Sequence, residues 1–236
     1  MTQGSGTRTR IYIYIYLYMS APISPRLLKG GIALIDPDSG AVQRVIALQY
    51  NPDTLTRSFQ VKGVGAEGGD RSEALRLKGP AVESFKLEAE IDATDQLEFI
   101  DKFPNTAQFG IQPQLAALET IIYPTTAQLQ SNNSLANLGT LEIAPMESPL
   151  TLFIWSRSRV VPVRLTELSI TEEAFDPALN PIRAKVTLGM RVLSVDDLGF
   201  DQKGSSIYLA YQRQKEQLAG KSPGAALSAF GIGGIP

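Results

Sequence analysis

The chain has 236 residues, 43% of them hydrophobic, enough to bury one substantial core or two modest ones without disulfide or metal staples. Lys+Arg 22 against Asp+Glu 24 leaves a formal charge of -2, so the net balance offers no basic face for nucleic acid. With His 0 and Cys 0, triads with a His base, thiol nucleophiles, disulfides and the common Cys/His zinc sites are excluded.

Carboxylate, Ser/Lys or Tyr chemistry and oxygen-ligated metals remain formally open, but no motif for them stands out, and neither cofactor nor metal is expected. A chain without cysteine suits a reducing compartment, so the expected location is cytoplasmic.

Arg8 and Arg10 precede Ile11–Tyr18, an apolar run of alternating aliphatic and tyrosine residues that is too short to span a bilayer. Its β-branched and aromatic alternation makes a poor signal-peptide core and a sticky strand. Residues 1–29 therefore read as an N-terminal extension outside the core, with the working protein beginning near Met19, and no direct membrane insertion is expected.

Gly31–Ile35 and Arg44–Tyr50 flank Asp36-Pro37-Asp38-Ser39-Gly40, which predicts a hairpin; the pentad lacks the ligand string and closing Glu of a calcium loop. Asn51-Pro52 stops the second strand, and Thr54–Val61 resumes a β pattern. The glycine-rich, charged stretch 62–80 predicts a long surface loop. Gly63-x-Gly65-x-x-Gly68 inside it matches a dinucleotide fingerprint in letters only, since no helix follows to receive a pyrophosphate.

Ser84–Asp92 alternates strictly, with Phe85, Leu87, Ala89 and Ile91 on one face and Lys86, Glu88, Glu90 and Asp92 on the other. The acids on that second face are expected to be solvated rather than a catalytic pair. Ala93–Phe103 and Pro113–Tyr123 carry helical spacing, the latter with Leu115, Leu118, Ile121 and Ile122 as its stripe. The Gln-, Asn- and Ser-rich stretch Thr125–Leu138 reads as a polar loop that orders against a partner.

Leu150–Trp155, Val160–Glu172 and Ile182–Ser194 are three strands in series, predicting an antiparallel sheet or closed barrel. Ser205–Ala219 reads as a helix with Ile207, Leu209, Tyr211 and Leu218 as its apolar positions, and the Gly/Ala/Ser/Pro-rich remainder to Pro236 supplies no core.

Four segments of this series form a recognisable set. Gln49-Tyr50-Asn51-Pro52-Asp53-Thr54-Leu55-Thr56-Arg57 resembles the F/Y-N-P-x-x-L-x-R signature of tube-family baseplate proteins from contractile injection systems. Gly79-Pro80 with Phe85–Asp92 resembles their next segment. Pro149–Trp155 resembles the P-x-x-x-F-x-W strand, although Ser156 stands where members commonly have Gly. Leu168–Phe175 with Asn180–Ala184 is similar to the closing S-I-T-x-x-x-F … P-x-R-A hairpin.

The resemblance covers roughly residues 30–198 and implies a β-rich α+β fold, an antiparallel β-barrel or sandwich of the phage-tail tube type with one or two packed helices. The implied division is a tube-like domain over 30–204 and a C-terminal helix with a flexible or partner-ordered tail over 205–236. It also implies a structural, non-enzymatic subunit of the inner tube or baseplate hub, forming a hexameric ring between the spike hub and the tube protein and touching the baseplate wedges. Members often carry a LysM domain; here the short tail is expected to replace it.

Candidate subunit-interface residues are Asn51 and Pro52 at the strand break, Arg57 in the signature, Arg157 and Arg159 in the basic turn Ser156–Arg159, and Arg183 at the start of the last strand. An arginine fork suits bidentate pairing with a neighbour's carboxylate. Trp155 is expected to be core. The competing reading from another class is a monomeric β-sandwich that binds a ligand through 125–138.

Overall fold

Seven strands form one antiparallel sheet in a computed structural model that describes residues 28–63, 76–137 and 148–235. The run Ile11–Tyr18, nearly all of the glycine fingerprint and the end of the polar stretch at Leu138 lie outside the described residues. The strands are β1 (Gly31–Ile35), β2 (Val42–Ala47), β3 (Leu55–Gln60), β4 (Val82–Asp92), β5 (Leu150–Ser156), β6 (Arg159–Phe175) and β7 (Pro181–Val192). They lie side by side in the order β2-β1-β5-β6-β7-β4-β3.

The predicted hairpin is β1 and β2. Its turn is built by Asp36, whose Oδ1 accepts from the backbone N–H and the hydroxyl of Ser39 while Gly40 supplies φ +72. The strictly alternating segment is β4, with Phe85, Leu87 and Ala89 buried as expected.

The sheet rolls. In a flat sheet β4 and β5, three strand spacings apart, would be separated by about 14 Å. Instead the rings of Phe85 on β4 and Phe153 on β5 meet with centroids 5.2 Å apart. The long strand β6 makes the bend: its first residues pair with β5, its later ones with β7, and the register shifts between Leu165 and Glu167. Inward-facing side chains of β1, β4, β5, β6 and β7 thereby share one core. The roll is not closed by a ladder, because β2 and β3 are the two ends of the strand order. Gln49 fastens the near side instead, its Nε2 donating to the Asp92 carbonyl (2.6 Å) and its Oε1 accepting from the Asp92 N–H (2.9 Å).

Between β4 and β5 the chain is helical: α1 (Thr94–Leu97), a 3-10 turn (Ile100–Lys102), α2 (Pro104–Phe109), α3 (Gln112–Glu119) and α4 (Thr126–Asn137). The single helix expected over Ala93–Phe103 is broken at Phe99, whose φ -124 and ψ 58 lie outside the α region, and Phe103 is likewise held out of it before Pro104 opens the next helix. Leu115 and Leu118 of α3 are buried as predicted, whereas Ile122 is exposed. Gly110 joins α2 to α3 at φ 58, ψ -132, and a Cβ there would lie 2.1 Å from the Pro181 carbonyl oxygen, so only glycine fits.

The stretch expected to be a polar loop is largely α4. Thr125 and Gln128 form a capping box: the Thr125 N–H donates to Gln128 Oε1 (2.9 Å) and the Gln128 N–H donates to Thr125 Oγ1 (3.2 Å). No residue of α4 is buried.

The last helix, α5 (Lys203–Ala219), lies against β6. Its buried positions are Gly204, Ser205, Tyr208 and Tyr211, so the tyrosines face the sheet while Leu218 is exposed. β1 is covered on both faces: Ile32 and Leu34 enter the main core, and Ala33 and Ile35 join Leu150 and Leu152 in a second cluster with Leu198 and Ile207. That double burial explains why β1 is a bare apolar run instead of an alternating one.

Candidate functional site

Two open sheet margins and one charged anchor define the surfaces with something to do. β2 presents Val42 and Val45 to solvent, the latter 65% exposed, and β3 presents Phe59 at 53%. Neither strand has a partner on its outer side among the described residues. Unpaired edges carrying apolar side chains are templates for another chain. Along the inner side of β2 runs a groove of about 420 Å³, walled by Ile46, Leu48, Ala89, Ile91 and Val186 and flanked by Ala117 of α3. Gln114 also lines it, and its Oε1 is shielded from water without a hydrogen-bond partner among the described residues.

The charged anchor sits at the start of β4. Glu83 is only 4% exposed, because the buried face of β4, followed back from Phe85, falls on it. Arg57 on β3 is opposite Phe85 and reaches diagonally to Glu83, donating from Nη2 to Oε1 at 2.8 Å. From α5, the Tyr211 hydroxyl donates to the same oxygen (2.8 Å) and Lys215 Nζ lies 3.2 Å from Oε2. Lys215 also caps the Tyr211 ring at 4.4 Å, as residues four apart on a helix can.

Burial pushes the Glu83 carboxyl up, but the hydrogen bonds from Arg57 and Tyr211 and the charge of Lys215 outweigh it and hold the group below its ordinary range. Tyr211 is pushed up to about 12, first by burial and then by donating to Glu83. The cluster is a fastener between β3, β4 and α5, and it holds no spare nucleophile or base. Among the described residues no group of three His, Cys, Asp or Glu side chains is gathered to hold a metal ion.

The six interface candidates fall in four places. Asn51 acts within the chain: its Oδ1 accepts from the Gly30 N–H (2.9 Å) and its Nδ2 donates to the Leu28 carbonyl (2.7 Å), with Pro52 half-buried beside it. Replacing Asn51 with Ala removes both bonds and is expected to lower stability by about 1 to 2 kcal/mol in urea titrations.

Arg57 and Arg159 converge on Tyr211, the first by hydrogen bond and the second through its charge. Arg157 is exposed at the β5–β6 turn and forms no ion pair among the described residues. Arg183 stands at the far end of β7, where Nε binds Asp92 Oδ2 at 2.8 Å and approaches Glu90 at 3.8 Å. Glu90 and Asp92 on the outer face of β4 are thus tied into surface cross-strand pairs, with Lys86–Glu167 another, each contributing up to about 1 kcal/mol. Trp155 packs against the core as expected but is only partly buried.

The sequence reading missed Glu83, Tyr208 and Lys215. Extending the β4 alternation back by two residues would have put an acid on the buried face and called for cations.

The described residues form a rolled β-rich α+β domain whose sheet ends in two unpaired margins. A family model described as contractile injection system tube protein matches residues 33–197, and the chain belongs to that family, whose members are structural tail components. Among solved structures, a chain from the tail of an empty GTA particle refined with C6 symmetry is similar at 14% identity and TM-score 0.28, covering 70% of this chain and 90% of that one. A chain from the virion of a native gene transfer agent particle is similar at 13% identity and TM-score 0.25, covering 68% and 90%. No curated protein matches the sequence.

Proposed function

We propose that the chain is a ring-forming subunit of the inner tube or baseplate hub of a contractile injection particle, joining the spike hub to the tube as a homo-hexamer. The observation that carries this reading is the pair of unpaired margins, β2 and β3, at opposite ends of one sheet order. A margin that pairs with the opposite margin of the next copy makes a head-to-tail contact, and such contacts close into rings. The work is geometric and needs no turnover. Assembly takes place in the cytoplasm, and among the described residues no helix is long and apolar enough to cross a membrane.

Negative-stain imaging and sedimentation of the full chain are expected to give a cyclic oligomer. A stable monomer at high concentration sinks the proposal, and a monomer that binds a small ligand would favour the β-sandwich binding module instead.

Arg157 and Arg159 are assigned to docking on an acidic neighbour, since Arg157 has no ion-pair partner in its own chain among the described residues. The double substitution Arg157→Glu, Arg159→Glu is expected to cut particle assembly at least about tenfold, because rim charges act on encounter and like charges repel. Unchanged assembly would remove these two residues from the interface.

A further inference from the structure

Helix α4 lacks the means to hold itself together. It has 12 residues and none of them is buried, so no core supports it. Isolated helices of this length are marginal in water even when built largely of alanine. The sequence of α4, Thr-Ala-Gln-Leu-Gln-Ser-Asn-Asn-Ser-Leu-Ala-Asn, is rich in Ser and Asn, whose side chains compete for the backbone. The capping box of Thr125 and Gln128 secures only the first turn. The remaining support is a docking contact, and the residues of the helix say with what.

Helical spacing sets Leu129, Asn133 and Ala136 in one stripe, at i, i+4 and i+7, and all three are exposed. That is the d-a-d order of a helix-pairing seam, with an asparagine in the a place. Asparagine there selects partner and register, because a carboxamide both donates and accepts and is satisfied by a second carboxamide. No Asp, Glu, Lys or Arg occurs from Thr120 to Asn137. Two copies meeting along the stripe therefore bring no like charges together, and a charged partner of another kind finds nothing there to read.

We infer that α4 pairs with α4 of a second copy, Leu129 and Ala136 packing across the seam and the two Asn133 amides hydrogen-bonding to each other. Like against like is a two-fold contact that joins chains in pairs, whereas the β2 and β3 margins make the head-to-tail contact that closes a ring. The pairing thus goes beyond the ring reading and stands or falls without it. A seam this short is weak between free chains and strengthens wherever assembly holds copies close.

Asn133 is exposed on a helix that carries no core, so substitutions there leave the fold intact. Asn133→Lys and Asn133→Glu, each alone, are expected to weaken pairing of the full chain at least about tenfold in sedimentation equilibrium, since each sets like charges face to face. An equimolar mixture of the two is expected to restore pairing, with the thermal midpoint unchanged throughout. Because the chain has no cysteine, Asn133→Cys is expected to crosslink to itself on mild oxidation, whereas Ser131→Cys, on the far side of the helix, is not.

A Lys/Glu mixture that stays unpaired, or equal crosslinking from both cysteine positions, overturns the inference. Wild-type rings with no Asn133→Cys crosslink overturn the pairing and leave the ring reading standing; crosslinked pairs that never form rings do the reverse. A wild-type chain that is monomeric at every concentration overturns both. Loss of particle incorporation by Asn133→Lys that the mixture does not repair would give the stripe to a different protein and overturn the pairing as well.

Discussion

Replacing Phe153 by alanine is expected to lower the unfolding free energy of the dissociated chain by about 4 kcal/mol, read as a shift of the urea midpoint at unchanged slope. The side chain is 1% exposed and stands where the two halves of the rolled sheet touch, 5.2 Å from the Phe85 ring and 6.0 Å from Trp155. Truncation removes buried apolar surface and leaves a cavity that the ladders on either side cannot collapse into. The aromatic pair adds about 1 kcal/mol beyond burial.

Against a typical domain stability of about 5 to 15 kcal/mol, this is a large fraction. Phe153→Leu keeps most of the volume and is expected to cost about 1.5 kcal/mol. Equal losses for the two variants would mean that the roll does not depend on this contact.

What the sequence made legible was local. The β1–β2 hairpin followed from Asp36–Gly40 between two apolar runs, β4 from its strict alternation, and the β5–β6–β7 meander from three strands in series. These signals act over a few residues, through turn chemistry and side-chain parity. The placement of β1 beside β5 and of β4 beside β7 was not legible, because each joins segments far apart in the chain with no local pattern to announce them.

α4 was missed for a different reason. Its composition is that of a loop, and only Thr125-x-x-Gln128 betrays a helix start. The site was legible in part: Arg57 was singled out as a candidate contact to a neighbour, and it also reaches Glu83 and Tyr211 of its own chain. Arginine announces a partner in sequence without saying whose carboxylate it is. Glu83 went unseen because a buried acid interrupts the apolar parity from which burial is inferred.

That acid is the object of the second large effect. Arg57→Leu is expected to cost about 3 kcal/mol at pH 7, since it leaves Glu83 buried with a charge that Lys215 and Tyr211 only partly balance. The pH dependence has a definite sign. The folded carboxyl of Glu83 lies below its ordinary value of 4.5, so its contribution is fully present above that value and is lost as pH falls through the folded one.

Removing Arg57 takes away the strongest of the interactions opposing burial, so the carboxyl rises and protonates earlier in the folded state. The gap between wild type and variant should therefore narrow on acidification from pH 7 towards the carboxylate range.

The double variant Arg57→Leu, Glu83→Leu is expected to recover more than half of the loss, because the buried charge is gone and the partly exposed Lys215 can turn to water. A double variant that loses the sum of two independent penalties would show that Glu83 and Arg57 do not act as a pair. In that case α5 would be held on the sheet by Tyr208 and Tyr211 packing alone.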